Sequence, residues 1–109
     1  MEKDRFLELF EMQKELIRTI FVRTGDTGTV HGSITAMMVE AGEFLNENGQ
    51  YKWWKKNHLV DTEKELEEFI DIFFFWLQAA ILKGYTADQL FDAYKRKWKV
   101  NIERQKSNY

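Results

Sequence analysis

The 109-residue chain has no cysteine, no proline and only two histidines. Without cysteine there is no disulfide framework, no thiol nucleophile, and no zinc or iron–sulfur centre held by thiolates. The histidines do not supply a di-iron carboxylate site, which needs Glu-x-x-His on two helices. Gly28 stands three residues before His31, and Lys55 three before His58. An excess of positive charge is also missing. Sixteen basic residues against eighteen acidic ones give a net charge of −2, unlike a dedicated nucleic-acid binder. There is no Walker A motif, because the Gly-Asp-Thr-Gly segment at 25–28 is not followed by Gly-Lys-Ser/Thr at the required spacing. A basic-plus-apolar leader is absent from the start of the chain, and the cysteine-free composition fits a reducing compartment, so the expected localisation is cytoplasmic.

What is present suits one helical domain over residues 1–109. The chain is 44% hydrophobic, 16% aromatic and 31% charged, enough apolar material for a core and too much for wholesale disorder. Phe6, Leu9, Phe10, Leu16, Ile17, Ile20 and Phe21 recur at helical spacing, which predicts a first helix over 4–23. A loop rich in threonine and glycine follows, and Ser33 is expected to cap a second helix that ends at Asn48-Gly49. Thr62 with Glu65 reads as a capping box for a third helix, running to Lys83 and stopped by Gly84. Thr86 with Gln89 repeats the device for a fourth, ending near Gln105. No segment alternates with period two. The expected fold is all-α, four main helices in an antiparallel bundle.

The third helix carries the longest apolar stretch. From 69 to 82 only Asp71 and Gln78 are polar, so apolar side chains cover nearly its whole circumference, and such a helix must be buried all round. Fourteen residues fall short of the ~18–20 that cross a bilayer. Four helices of this length cannot enclose one of their own number, so a homo-oligomer is expected, a dimer or tetramer, with no membrane or nucleic-acid partner.

Within that frame the carboxylates are the informative residues. Glu40, Glu43 and Glu47 fall on one stripe of the second helix, within about 60° of its circumference. Ile34, Met37, Met38, Ala41 and Leu45 take the neighbouring face, aimed at the core. Glu68 and Asp71 repeat the i, i+3 pairing where the third helix enters its apolar stretch. A carboxylate so placed is costly unless neutralised. Two acidic pairs on adjacent antiparallel helices can hold a divalent cation through oxygens alone, which suits Mg²⁺.

Glu40-x-x-Glu43 followed by Glu68-x-x-Asp71 resembles the metal-binding signature of the all-α nucleoside triphosphate pyrophosphatases, the superfamily of MazG-like enzymes and dimeric dUTPases. Glu40-Ala-Gly-Glu43-Phe-Leu-Asn46-Glu47, then Tyr51-Lys52-Trp53-Trp54, and Tyr94-x-x-Lys97-x-x-x-Asn101-x-x-Arg104-Gln105 are more similar to the dimeric dUTPase branch. The resemblance implies Mg²⁺-dependent hydrolysis between the α- and β-phosphates of a nucleoside triphosphate, with dUTP the first-choice substrate. Glu40, Glu43, Glu68 and Asp71 would hold the metal, and Glu43 would also orient the attacking water. On the fourth helix Lys97 and Arg104 would meet phosphate oxygens and Asn101 sugar or phosphate. Trp53 would stack on the base, and Gln13 falls where the branch places a base-contacting glutamine. The alternatives are a MazG-like enzyme of other or broad nucleotide preference and a non-enzymatic helical interaction module.

Overall fold

Four helices form where short oxygen-bearing side chains take up the first free backbone donors. The computed structural model describes residues 2–56 and 59–107, so His58 lies outside the described residues. The helices are α1 (Arg5–Thr24), α2 (Val30–Asn48), α3 (Thr62–Lys83) and α4 (Ala87–Lys106). Asp4 accepts from the Leu7 amide and Thr29 from that of Gly32. Thr86 and Gln89 close the capping box the sequence predicts. Gly25, Gly49 and Gly84 end the first three helices at φ of 75°, 70° and 94°, the left-handed geometry glycine adopts without a Cβ penalty.

Two boundaries differ from the sequence reading. α2 starts at Val30, because Thr29 rather than Ser33 is its cap. Ser33 lies inside the helix and its hydroxyl donates to the Thr29 carbonyl at 2.7 Å. On α3 the cap is Asp61, which accepts from both Glu63 and Lys64. A carboxylate one residue earlier thus displaces the Thr62–Glu65 box, and Glu65 is left to accept from the Asn48 side-chain amide.

α2 and α3 form an antiparallel hairpin, in which Phe44 meets Phe69 edge to face with ring centroids 5.4 Å apart. Beyond it, Lys64 reaches Glu47 at 3.7 Å. α1 packs across α3, and α4 begins against α1. Phe10, Leu77 and Ala87 form the centre of the core, with Phe6, Phe73, Ile81 and Leu90 around them. Leu77 is 2% exposed. Leu77→Ala is therefore expected to lower stability by about 2–5 kcal/mol, read from a denaturant melt followed by circular dichroism. A loss well under 1 kcal/mol would mean that the core lies elsewhere.

The rest of the apolar surface is poorly covered. Ile34, Met38 and Leu45 on α2 are exposed, as are Phe69, Ile70, Phe74 and Trp76 on α3. The chain exposes 9206 Å², against roughly 6400 Å² for a folded monomer of its mass. Its radius of gyration is 17.5 Å, where about 13 Å is usual for this length. Between α3 and α4 the chain turns by 113°, and no single helix among the described residues is long and apolar enough to cross a membrane.

Candidate metal and nucleotide site

The antiparallel pairing of α2 with α3 sets the site. Running in opposite directions, the middle of α2 faces the second and third turns of α3, so the i, i+3 pairs converge. Carboxylate oxygens of Glu40, Glu68 and Asp71 all lie within 4.8 Å of one another, each residue partly buried. Glu40 Oε2 and Glu68 Oε2 are buried and have no hydrogen-bond partner among the described residues. Glu43, one turn on from Glu40, is exposed at the rim. Its carboxylate acts on both Glu40 and Glu68.

The electrostatics follow from that crowding. Burial, then the hydrogen bond and charge of Glu43, then the charges of Asp71 and Glu68, push Glu40 up to about 7. Burial and then Glu43 and Asp71 push Glu68 in the same direction, with Lys64 opposing. These are like charges held together, and the opposing charge of Lys64 leaves both groups raised. A divalent cation with hard-oxygen preference would relieve them, and the donor set, carboxylates alone, is the one such a cation takes.

Glu47 lies on the same stripe of α2. It meets Lys64, while Asn48 beside it donates to Glu65. These two contacts fix the register of the hairpin next to the carboxylates. Asn48 carried no signal beyond its place before Gly49, where it read only as the end of a helix.

Gln13 is the second notable residue. A glutamine on an amphipathic helix usually faces solvent, yet Gln13 is 2% exposed, and neither amide atom finds a hydrogen-bond partner among the described residues. An unpaired buried amide costs about 1–3 kcal/mol, so its oxygen and nitrogen are unused recognition groups inside the helical frame. Gln78, one of the two polar residues in the apolar stretch of α3, approaches the α1–α2 loop. A Cβ on Gly28 would stand 3.1 Å from its Nε2.

The remaining sequence-predicted residues lie on other segments of the chain. Trp53 lies in the turns between α2 and α3 and is 85% exposed. It meets Trp54 edge to face, with centroids 5.6 Å apart, and Trp54 in turn meets Tyr51. Lys97, Asn101 and Arg104 sit on the far half of α4, where every described residue from 94 to 107 is exposed.

The family model described as dUTPase matches residues 5–83. That span takes in α1, α2 and α3, hence Gln13 and all four carboxylates, and ends where α3 ends. No curated protein matches the chain, and no solved structure does. A match over most of the chain, on the helices that bring the carboxylates together, establishes that this protein belongs to the dUTPase family and is in general terms a dUTPase-like nucleotide pyrophosphatase, with a nucleotide as its substrate.

Proposed function

We propose that the protein is a Mg²⁺-dependent hydrolase that converts dUTP to dUMP and pyrophosphate. The observation that carries this reading is the convergence of Glu40, Glu68 and Asp71, with one buried oxygen each on Glu40 and Glu68 lacking a hydrogen-bond partner among the described residues. Those three residues, with Glu43 at the rim, would hold the metal. When bound, Mg²⁺ would neutralise phosphate oxygens and make a coordinated water more acidic. Glu43 is exposed, and its carboxylate would accept a proton from the attacking water. The water oxygen bonds to the α-phosphorus, and the bond from that phosphorus to the oxygen bridging the β-phosphate breaks. Little covalent chemistry is asked of the protein; positioning and charge neutralisation carry the reaction.

Gln13 is the proposed reader of the base. An amide with both a donor and an acceptor matches the hydrogen-bonding edge of a uracil, and a site built to make such bonds rejects bases that leave it unpaired. Gln13→Met should therefore separate stability from function. Thermal stability is expected to rise, because a buried amide without partners is replaced by an apolar side chain of similar length. Turnover of dUTP is expected to fall at least about tenfold. A variant that loses stability and keeps its preference would remove Gln13 from the site. Trp53 supplies an aromatic face for the base, and Lys97, Asn101 and Arg104 supply charge and hydrogen bonds for the phosphates.

The surface in excess of a monomer's supports a homo-oligomer. Roughly 2800 Å² per chain is more than the ~1000–2500 Å² each partner commits to an obligate dimer.

The direct test is pyrophosphate release with Mg²⁺ across dUTP, the other deoxynucleoside triphosphates and the ribonucleotides. Preference for dUTP, with dUMP as co-product, is the expected result. Equal rates over several bases would overturn the specificity, and no hydrolysis of any nucleotide would overturn the enzymatic reading.

A further inference from the structure

From the order of charges along the α2–α3 hairpin, we infer that Lys64 holds the leaving pyrophosphate, its ammonium on β- or γ-phosphate oxygens, and that Glu47 is its partner when no substrate is bound. The inference deepens the proposed hydrolase reading and rests on it. Helical phase puts Lys64 in line with the carboxylates. On α3, Lys64, Glu68 and Asp71 stand at i, i+4 and i+7, within about 60° of one another. On α2, Glu40, Glu43 and Glu47 stand at i, i+3 and i+7, a stripe of the same width. The helices run antiparallel, so the two stripes meet in reverse order.

Both ends of that meeting are visible. At one end the oxygens of Glu40, Glu68 and Asp71 lie within 4.8 Å of one another. At the other, Lys64 Nζ lies 3.7 Å from Glu47 Oε2. Lys64 also acts on Glu68, with the sign opposite to that of Glu43 and Asp71. An ammonium thus closes one end of the row of carboxylates, about 6 Å along α3 from Glu68. The other end is apolar: past Asp71, and one turn back from Glu40, the walls are Ile72, Phe73 and Met37. A triphosphate attacked at its α-phosphorus has two further phosphates to place beyond the metal. Charge laid against apolar walls is costly, so those two phosphates run toward Lys64.

The resting pair is suited to such an exchange. The Lys64 side chain is more than half exposed, and 3.7 Å is a long separation for an ion pair. Exposed pairs of this kind contribute little, so phosphate oxygens can take the ammonium from Glu47 in shorter, charge-assisted hydrogen bonds. A lysine supplies a compact point charge on a flexible stem, which follows the leaving group as it moves. As the water oxygen bonds to the α-phosphorus, the bond to the bridging oxygen breaks and its electron pair stays with the pyrophosphate. Lys64 keeps its proton and donates hydrogen bonds to that group, offsetting the charge it gains. The alternative is purely structural, with Lys64–Glu47 pinning the hairpin beside the Asn48–Glu65 contact.

Calorimetric titration of the protein in Mg²⁺ with pyrophosphate and with dUMP, beside steady-state hydrolysis, separates the two. Lys64→Met is expected to weaken pyrophosphate binding by at least about tenfold, the loss of a hydrogen bond between charged groups, and to leave dUMP binding nearly unchanged. Its kcat/KM for the triphosphate is expected to fall by at least about tenfold as well. Lys64→Arg keeps the charge and is expected to restore most of the pyrophosphate affinity. Equal losses for pyrophosphate and dUMP, with no recovery in Lys64→Arg, leave the pair a structural role and overturn the inference. Wild-type kcat/KM in Lys64→Met overturns it too. A wild type that hydrolyses no nucleotide, yet binds pyrophosphate through Lys64, overturns the hydrolase reading and leaves the anion site standing. A wild type that neither hydrolyses a nucleotide nor binds pyrophosphate overturns both.

Discussion

Glu40→Gln and Asp71→Asn are each expected to cut nucleotide hydrolysis by at least about 100-fold, since outer-shell partners of metal ligands alone cost 10–100-fold. The same substitutions are expected to stabilise the metal-free protein. In the folded chain Glu40 shares a crowded, partly buried space with Glu43, Glu68 and Asp71, and a neutral amide of the same shape removes like-charge repulsion and the burial of a charge. Opposite movements of activity and stability distinguish a binding site from ordinary surface acids. Solvated acids on a helix face would change neither by more than a little, because exposed charges contribute within about ±0.5 kcal/mol. Steady-state pyrophosphate release and a thermal melt without Mg²⁺ provide both readings. Wild-type turnover in both variants would dismiss the carboxylates as metal ligands.

The helices and the carboxylate cluster were legible in the sequence because they depend on local spacing. Helical periodicity in α1, the glycine stops after α1, α2 and α3, and the Thr86–Gln89 capping box are written within a few residues of one another. The convergence of Glu40 with Glu68 and Asp71 needs only one non-local assumption, that α2 and α3 pair antiparallel, the usual arrangement of consecutive helices in a bundle. Caps were less legible. Thr29 and Asp61 won over Ser33 and Thr62 because several acceptors lie close together at each start, and which one takes the amides depends on backbone geometry. The burial of Gln13 was hidden, since it depends on where α1 crosses α3 and not on the pattern within α1. The apolar face of α2 pointed to a core position, whereas Ile34, Met38 and Leu45 are exposed, because the spacing of apolar residues on one helix does not say which neighbour covers them.

The stability of the metal-free protein is expected to fall as pH rises from about 5 to 8, and Mg²⁺ to reverse the fall. Glu40 stands at about 7 in the folded chain against 4.5 for an ordinary glutamate, and Glu68 is displaced in the same direction. Below 4.5 these groups are protonated in folded and unfolded chains alike, and they cost folding nothing. As pH climbs above 4.5 the unfolded chain ionises freely while the folded one resists, so the unfolded state gains. The loss is complete once pH passes the folded value near 7. Mg²⁺ bound to the folded, ionised cluster would contribute about 2.7 kcal/mol at one hundred times its Kd, roughly 10–20 °C in the melt of a chain this size. At pH 5.5 protons compete for the same oxygens, so the shift with Mg²⁺ is expected to be several-fold smaller than at pH 8. Asp71→Asn should flatten the Mg²⁺ response at both pH values. Melts at the two pH values with and without the cation decide the matter: a Mg²⁺ shift independent of pH, or one that survives Asp71→Asn, would place the cation somewhere other than between α2 and α3.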